Sequence, residues 1–510
     1  MPTSKSGALK KKTTSRTKSK SKSPMRKQIE KLAKEKFGFT SFRPGQLELI
    51  ESALEGKDSL GIMPTGSGKS LCFQLPSLLL EKTVVVVSPL ISLMHDQESH
   101  LIDLGIPVAK VNSTLSKTEE NEIRDQIEGN ETEVVYVTPE RLENEEYLEL
   151  LKDAGVSLIV IDEAHCISQW GHDFRPAYTA LHHAIKELGT PPVMALTATA
   201  TDDVLSDIIR QLNLKEPLIV KQGVDRPNLQ FEVFNTVNDE LKKEKLMDII
   251  GQNDGSGIVY VATVKAATEV ADWLAAKGVS ATAYHAKLSA TKRTEIQEAF
   301  MADEFKVIVA TKAFGMGIDK PNIRFIVHYQ FPDSLESYYQ EAGRAGRDGS
   351  DARITLLYKL EDRRIQSYFL GGKYPSRDDV SEFLGALRET LKQKNILSVT
   401  KFAEMCGIAL KKTRVIANYL DAAGVIKKSR GIRVVKEFDD REELDRFLTA
   451  YEQRHLDDRT RLDQMMHYAQ SLDCRVKLLR EYFGETDAEK CGRCDNCTAD
   501  PFEIPSSIAS

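Results

Sequence analysis

Met63-Pro-Thr-Gly-Ser-Gly-Lys-Ser70 puts two glycines, a lysine and a hydroxyl into one short loop. Gly66 and Gly68 let backbone N–H groups turn toward a phosphate with no Cβ in the way. Lys69 then reaches the β- and γ-phosphates of ATP and the Ser70 hydroxyl ligates Mg²⁺, while Thr65, Gly66, Ser67 and Gly68 complete the cradle. The general pattern has Gly where Met63 stands; the Pro-Thr-Gly-x-Gly-Lys-Ser core that does the cradling is intact. Alone, this loop implies only nucleoside-triphosphate chemistry. A second motif, Leu158-Ile-Val-Ile-Asp-Glu-Ala-His165, ends an apolar run in acids. Asp162 at the strand end faces Mg²⁺, and Glu163 beside it is placed to activate the attacking water. Loop and acid each follow an apolar strand, which makes an acidic helix cap a poor rival reading. Upstream, Phe37-Gly-Phe-Thr-Ser-Phe-Arg-Pro-Gly-Gln46 offers a Gln46 amide that can read adenine bidentately and a Phe39 ring that can stack on it. On physical grounds alone this signal is weak, because an aromatic-Gly cluster at a helix start is usually packing.

Four of the seven cysteines lie near the C-terminus. Cys491-Gly-Arg-Cys494-Asp-Asn-Cys497 places three thiolates on one knuckle, and Cys474, with sixteen residues between it and Cys491, completes a tetrahedral set. With no apolar signal at the N-terminus, clustered cysteines favour a metal over disulfides. A closed thiolate set is structural and coupled to folding. The spacing alone admits zinc or an iron–sulfur cluster. Cys72, Cys166 and Cys406 sit among apolar neighbours and read as reduced core thiols.

These residues need elements to hold them. Short β-branched runs recur at Val84–Val87, Val134–Val137, Leu158–Ile161, Ile258–Val261, Val307–Ala310, Phe325–His328 and Ile354–Leu357. Continuous apolar strands separated by amphipathic stretches imply parallel sheets covered on both faces by helices. They fall into two α/β lobes, 28–225 and 226–370. Beyond Tyr374, three helical stripes and a hairpin around Lys428-Ser-Arg-Gly431 read as a winged-helix-like module over 375–440. Its third helix opens with Lys411, Lys412 and Arg414, which suits a phosphate backbone, although such modules also serve protein contacts or architecture. A cysteine module follows over 441–500, and 501–510 is a disordered tail. The net charge of −6 hides ten Lys and Arg with no acid in residues 1–27, which leaves −16 on the remainder. That Ser/Thr/Lys-rich segment is expected to be disordered, serving either phosphate attraction or solubility alone. With 41% hydrophobic and 29% charged residues, and no apolar run near the about 20 residues that span a bilayer, the chain reads as soluble, of the cytoplasm or nucleoid.

The residues after the acidic motif, His165-Cys-Ile-Ser-Gln-Trp-Gly-His-Asp-Phe-Arg-Pro176, resemble the aromatic-rich loop of the RecQ family of superfamily 2 helicases. The Gln46 segment resembles the same family's N-terminal motif. Val87–Gln97, Thr138-Pro-Glu-Arg141 and Ala195-Leu-Thr-Ala-Thr-Ala200 resemble its DNA-backbone and inter-lobe motifs. In the second lobe so do Ala310–Asp319 and Gln340-Glu-Ala-Gly-Arg-Ala-Gly-Arg-Asp-Gly349. The resemblance implies two tandem RecA-like parallel-sheet lobes and an ATP-dependent 3′→5′ DNA helicase active in recombination and repair. It implies coupling of single-stranded DNA to hydrolysis through His165, Gln169, Trp170, Phe174 and Arg175. The indole and phenyl rings would stack bases at about 1–3 kcal/mol each. It carries Phe39, Arg43, Gln46 and Gln340 into the nucleotide site, and it makes Arg347 the arginine finger, with Arg344 its close rival. The segment Arg475–Gly484 matches the family's zinc-domain helix, which decides for zinc. Single-stranded and duplex DNA, with single-strand-binding or repair proteins, are the partners implied. Two departures stand out. The family's Ser-Arg pair after the second lobe's first strand is Thr263-Val264 here, and the winged-helix-like module precedes the zinc module instead of following it. An RNA helicase, or a scaffold with a spent motor, is the competing class. The zinc cysteines and Trp170 oppose the first, and the complete set Lys69, Asp162, Glu163 and Arg347 opposes the second.

Overall fold

The computed structural model describes residues 23–112, 115, 117–129, 131–168, 175–315, 318, 320–373, 375–393, 396–428, 431–436 and 440–499. Residues 1–42 and 43–510 form two compact units. In the first, a helix spans Pro24–Phe37. The Ser23 side chain accepts the Arg26 N–H at 3.2 Å and Pro24 occupies the first turn, so capping starts this helix inside the segment expected to be disordered to residue 27.

In the larger unit the first sheet holds β1 Ser59–Ile62, β2 Thr83–Val87, β3 Val108–Val111, β4 Val134–Val137, β5 Val156–Ile161, β6 Val193–Thr197 and β7 Leu218–Lys221. Their order is β3-β4-β2-β5-β6-β1-β7, and every pairing is parallel. The second sheet holds β8 Leu229–Asn235, β9 Ser256–Tyr260, β10 Ala281–Tyr284, β11 Val307–Ala310, β12 Ile323–His328 and β13 Ala352–Tyr358, in the order β10-β11-β9-β12-β13-β8, again all parallel. Central strands such as Thr83-Val-Val-Val-Val87 are buried along their whole length because helices cover both faces. Each apolar run named above lies on one of these strands. Among the strands not anticipated, β6 Val193–Thr197 is as buried as the others, whereas two carry a weaker pattern. β7 is an edge with Leu218 and Ile219 exposed, and β1 carries Gly61, whose Cβ would lie 2.9 Å from both Leu49 and Leu196.

Beyond the second sheet come a helix over Arg363–Lys373, then helices Arg377–Gln393, Val399–Cys406 and Leu410–Ala422. The hairpin β14 Ile426–Lys427 with β15 Arg433–Val434 is widened by a bridge from Leu397 to Ile432. Phe383, Phe402, Ile416, Leu420 and Ile426 form the core of this winged-helix-like insert. A single 31-residue helix, Asp440–Gln470, leaves the insert. At about 1.5 Å per residue it runs roughly 46 Å. Phe447 near its start belongs to the insert's core, whereas Met465, Tyr468 and Ala469 near its end belong to the second lobe's core. Among the described residues no helix is long and apolar enough to cross a membrane.

Candidate active site and metal centre

The phosphate loop emerges from β1 and runs into the helix Leu71–Ser77. Its first N–H, of Met63, is held by the Thr197 carbonyl at 2.9 Å. Gly66 and Gly68 both take φ +80°, and a Cβ on Gly68 would stand 2.6 Å from the Gln46 amide. The loop therefore has the open, N–H-lined shape a phosphate needs. Lys69 Nζ donates to the Met63 carbonyl at 3.0 Å, bent back over the loop, and the Ser67 hydroxyl is buried with no hydrogen-bond partner among the described residues. Both are donors placed for a polyanion. Burial lowers the Lys69 pKa, and Glu163 and Asp162 act against that fall.

Asp162 follows β5, with its N–H on the Val87 carbonyl at 2.9 Å and its carboxylate accepting from Ser88 at 3.4 Å. Burial and the neighbouring Glu163 push its pKa up to about 6. Glu163 takes the left-handed conformation, φ 48°, a strained state for a residue with a Cβ that is found at functional sites. The Ser70 hydroxyl accepts the Gln97 amide at 2.9 Å, and Gln97 in turn receives Gln74 at 2.7 Å. Gln97 lies in the Val87–Gln97 motif, yet no sequence signal marked it as an orienter of Ser70. A hydroxyl and a carboxylate around the loop suit a hard, oxygen-seeking cation such as Mg²⁺.

His165 Nδ1 lies 2.9 Å from Thr197 Oγ1 and 3.3 Å from Glu163. The Thr197 hydroxyl donates to the Thr199 carbonyl at 3.1 Å, so the acidic motif and the Ala195–Ala200 motif are one network. Arg175 donates to the Pro89 carbonyl at 3.2 Å, which ties the end of the aromatic-rich segment to the Val87–Gln97 motif. Gln169, Trp170 and Phe174 lie outside the described residues.

Upstream, Gln46 opens the helix Gln46–Leu54 and is buried. Its oxygen accepts the Arg43 N–H at 2.8 Å and its amide donates to the Gly68 and Ser67 carbonyls at 2.9 and 3.2 Å. Arg43 donates to the Gly66 carbonyl. Both side chains thus brace the loop, and a purine would have to displace bonds that Gln46 already makes. Phe39 belongs to the smaller unit, just past the Gly38 cap, and is 50% exposed.

The second lobe contributes the other wall. A Cβ on Gly66 would meet Arg347 at 3.3 Å, and one on Gly343 would meet Thr65 at 3.2 Å. The Arg347 side-chain stem thus stands against the phosphate loop, with an Arg226 guanidinium nitrogen 3.9 Å from the same position. Arg344 is elsewhere: it is 6% exposed, and its guanidinium donates to the Gly315 carbonyl. Gln340 is half-buried on the helix Leu335–Ala342. Arg226, unmarked by the sequence reading, donates to the Gly343 and Gly346 carbonyls at 2.8 and 2.6 Å and so shapes the turn that presents Arg347. Only the Asp225-Arg226-Pro-Asn228 segment between the lobes could have signalled it.

The four C-terminal cysteines converge with all sulfurs within 4.8 Å of one another. Cys494 Sγ lies 3.9 Å from Cys474 Sγ, close to the about 3.8 Å separation expected of thiolates bound tetrahedrally at 2.3 Å. Backbone N–H groups of Cys491 and Lys477 donate to Cys474 at 3.2 and 3.5 Å. Burial would raise that thiol, but these N–H groups bring it down to about 7, toward the thiolate a metal takes. Burial raises Cys491 and Cys494, as it raises Cys72 and Cys406, the last two to about 12 and 11. The module shares its core with the motor. Val476, Leu479 and Phe483 enter the second lobe's core, where Phe483 meets Tyr339 at 5.3 Å. Polar bonds reinforce the join, because Glu485 and Asp495 accept the Val224 and Val233 N–H groups, each at 2.9 Å. Arg493 pairs with Asp225, the neighbour of Arg226.

Comparison with known proteins matches residues 43–208 to the DEAD/DEAH box helicase model, 241–349 to the helicase conserved C-terminal domain and 438–498 to the RecQ zinc-binding domain. Over 91% of its length the chain is 38% identical to the ATP-dependent DNA helicase RecQ of Bacillus subtilis, and it spans 65% of that relative, just under two thirds. It is 42% identical to the probable ATP-dependent DNA helicase RecS of the same organism, over 69% of this chain and 71% of the relative. Among solved structures, the helicase Lhr of Mycobacterium smegmatis bound to single-stranded DNA and AMP-PNP superposes with a TM-score of 0.55 at 19% identity, covering 81% of this chain and 61% of that one. This last likeness is one of fold.

Proposed function

Because the chain belongs to the RecQ family of superfamily 2 helicases, we propose that it is an ATP-dependent DNA helicase that moves 3′→5′ along one strand and unwinds the duplex ahead of it. The observation that carries this reading is Arg347 of the second lobe standing against Gly66 of the first lobe's phosphate loop. In the reaction the loop's N–H groups hold the β-phosphate, and Lys69 leaves the Met63 carbonyl for the γ-phosphate. Glu163 takes the proton of the attacking water on its carboxylate. Asp162 and Ser70 would hold Mg²⁺, which when bound neutralises charge on the phosphate oxygens. Arg347 stabilises the negative charge that spreads over the departing γ-phosphoryl group. Once that charge has left, Arg347 loses its anionic partner across the cleft, and the lobes are free to part. The His165–Thr197 pair lies between the acids and the Ala195–Ala200 motif, where it can pass this change toward bound DNA.

Recombination and repair are the processes the reading serves, with single-strand-binding or repair proteins as partners, acting at the nucleoid. The test is ATP hydrolysis measured with single-stranded DNA, with RNA of the same sequence, and with neither. Strong stimulation by DNA alone is expected. Equal stimulation by RNA would transfer the chain to the RNA helicases, and no turnover under any condition would mean a spent motor. In the same assay Lys69→Ala should lower kcat by at least about 10²-fold, the scale of one lost phosphate-stabilising contact, with DNA binding still measurable.

A further inference from the structure

Among the described residues, the helix Arg363–Lys373 carries two adjacent aromatic side chains that stand exposed. Tyr368 is 78% exposed and Phe369 41% exposed, and the two rings hold each other edge-on at 6.0 Å. They line one open groove together with Arg364, with Thr263 and Val264 just past β9 and with Thr311 just past β11. Exposed rings beside a cation are costly to keep in water and typical of a contact surface. Arg364 is exposed and has no ion-pair or hydrogen-bond partner among the described residues, whereas its neighbour Arg363 is paired with Asp463 at 3.2 Å.

The groove continues. A cavity of about 350 Å³ shares Ala262, Thr311 and Phe369 with it and ends at Lys411 of the winged-helix-like insert. Lys411 is likewise exposed and without a partner among the described residues. The acids along this path are already committed: Asp333 to Lys312 at 3.5 Å, Glu341 to His328 at 3.0 Å and Asp458 to Arg461 at 2.9 Å. What remains unbalanced is positive charge at both ends and a stacking surface at one.

We propose that this track, from Tyr368 and Arg364 to Lys411, binds single-stranded DNA on the second lobe. A base stacks on Tyr368, one phosphate meets Arg364 and another meets Lys411. The inference deepens the helicase reading and rests on it. It also gives a function to the departure at Thr263-Val264, because Arg364 brings a guanidinium to the same groove from a different element.

The experiment uses the full chain and a dye-labelled oligo-dT strand, with anisotropy read across a salt series. Tyr368→Ala should weaken binding by about 5- to 100-fold, the range for one stacked base, and Tyr368→Phe should retain it. Arg364→Ala and Lys411→Ala should each lower the slope of log affinity against log salt by about 0.7, the effect of one phosphate contact on a single strand. ATP turnover without DNA should stay at the wild-type level in all four variants. Wild-type affinity and slope in Tyr368→Ala and Arg364→Ala, with DNA stimulation of the wild type intact, would overturn this site alone. A wild type that neither binds nor is stimulated by the strand would overturn the helicase reading with it.

Discussion

Asp162 and Glu163 are adjacent acids whose environment sets them apart. Burial and the neighbouring charge lift the Asp162 pKa to about 6, with Lys69 pulling the other way. A raised carboxyl takes up a proton as pH falls through that value, and a protonated carboxyl cannot ligate a cation. Binding of Mg²⁺ with nucleotide is therefore expected to release protons near pH 6 and none at distinctly higher pH, with affinity falling on the acid side. Calorimetry in buffers of different ionisation enthalpy reads this release, and Asp162→Asn should reduce it to what the nucleotide's own terminal phosphate releases. The two candidate finger arginines separate in the same way, by surroundings. Arg347→Ala should lower DNA-stimulated kcat by about 10³-fold or more, as loss of an arginine finger does, with an unchanged melting temperature. Arg344→Ala should instead lower stability by about 1–3 kcal/mol, because the Gly315 carbonyl is left buried without its donor. Thermal melts beside steady-state kinetics distinguish the two outcomes.

At the scale of elements, the insert sorts its basic residues by packing. Its third helix opens with Lys411, Lys412 and Arg414, which suit a phosphate backbone, although such modules also serve protein contacts or architecture. Lys412 is instead held by Asp379 at 2.7 Å, and Lys411 faces the cavity against the second lobe, while Arg414 remains exposed. The first helix, Arg377–Gln393, thus uses Asp379 to lock the third in place, a packing role that the basic run conceals. Replacing residues 377–434 by a short Gly/Ser linker should leave DNA-dependent hydrolysis in place and reduce duplex unwinding. Phe447 would then lose its cover and should be changed to a polar residue in that variant. Parallel unwinding and ATPase assays check the split, and unchanged unwinding would reduce the insert to a spacer.

At the scale of the whole molecule, the zinc module is a brace for the second lobe. Structural zinc contributes on the order of 10–16 kcal/mol of apparent binding energy to the folded state. Here that energy is spent on a core shared with the motor, because Val476, Leu479 and Phe483 pack with Tyr338 and Tyr339. Each chain is expected to hold one zinc by elemental analysis, and Cys494→Ser should lose it. Its loss should speed hydrogen exchange at Val224 and Val233 and lower the melting temperature of the second lobe. It should also weaken catalysis through the chain Arg493, Asp225, Arg226 and the Gly343–Gly346 turn. Iron with visible absorption, or unaltered exchange at those two amides, would contradict this account.

The chemistry of the phosphate loop, the acidic strand end and the cysteine knuckle was legible in the sequence alone. Each is written in contiguous residues whose backbone geometry and spacing are local, so Gly66, Gly68, Lys69, Asp162 and the four cysteines needed no partner to be recognised. The central strands were legible for the same reason, since full burial demands unbroken Val and Ile. Edge strands such as β7, half in water, carry a weaker pattern, and β1 is masked by the Gly61 that lets Leu49 and Leu196 close over it. The tertiary structure alone decided that Arg347 and Arg226, and not Arg344, approach Gly66, that Gln46 braces the loop through its carbonyls, and that the long helix Asp440–Gln470 joins the insert's core to the motor's. Those outcomes depend on how distant apolar faces and charges sum when elements dock, and no local window of residues contains that sum.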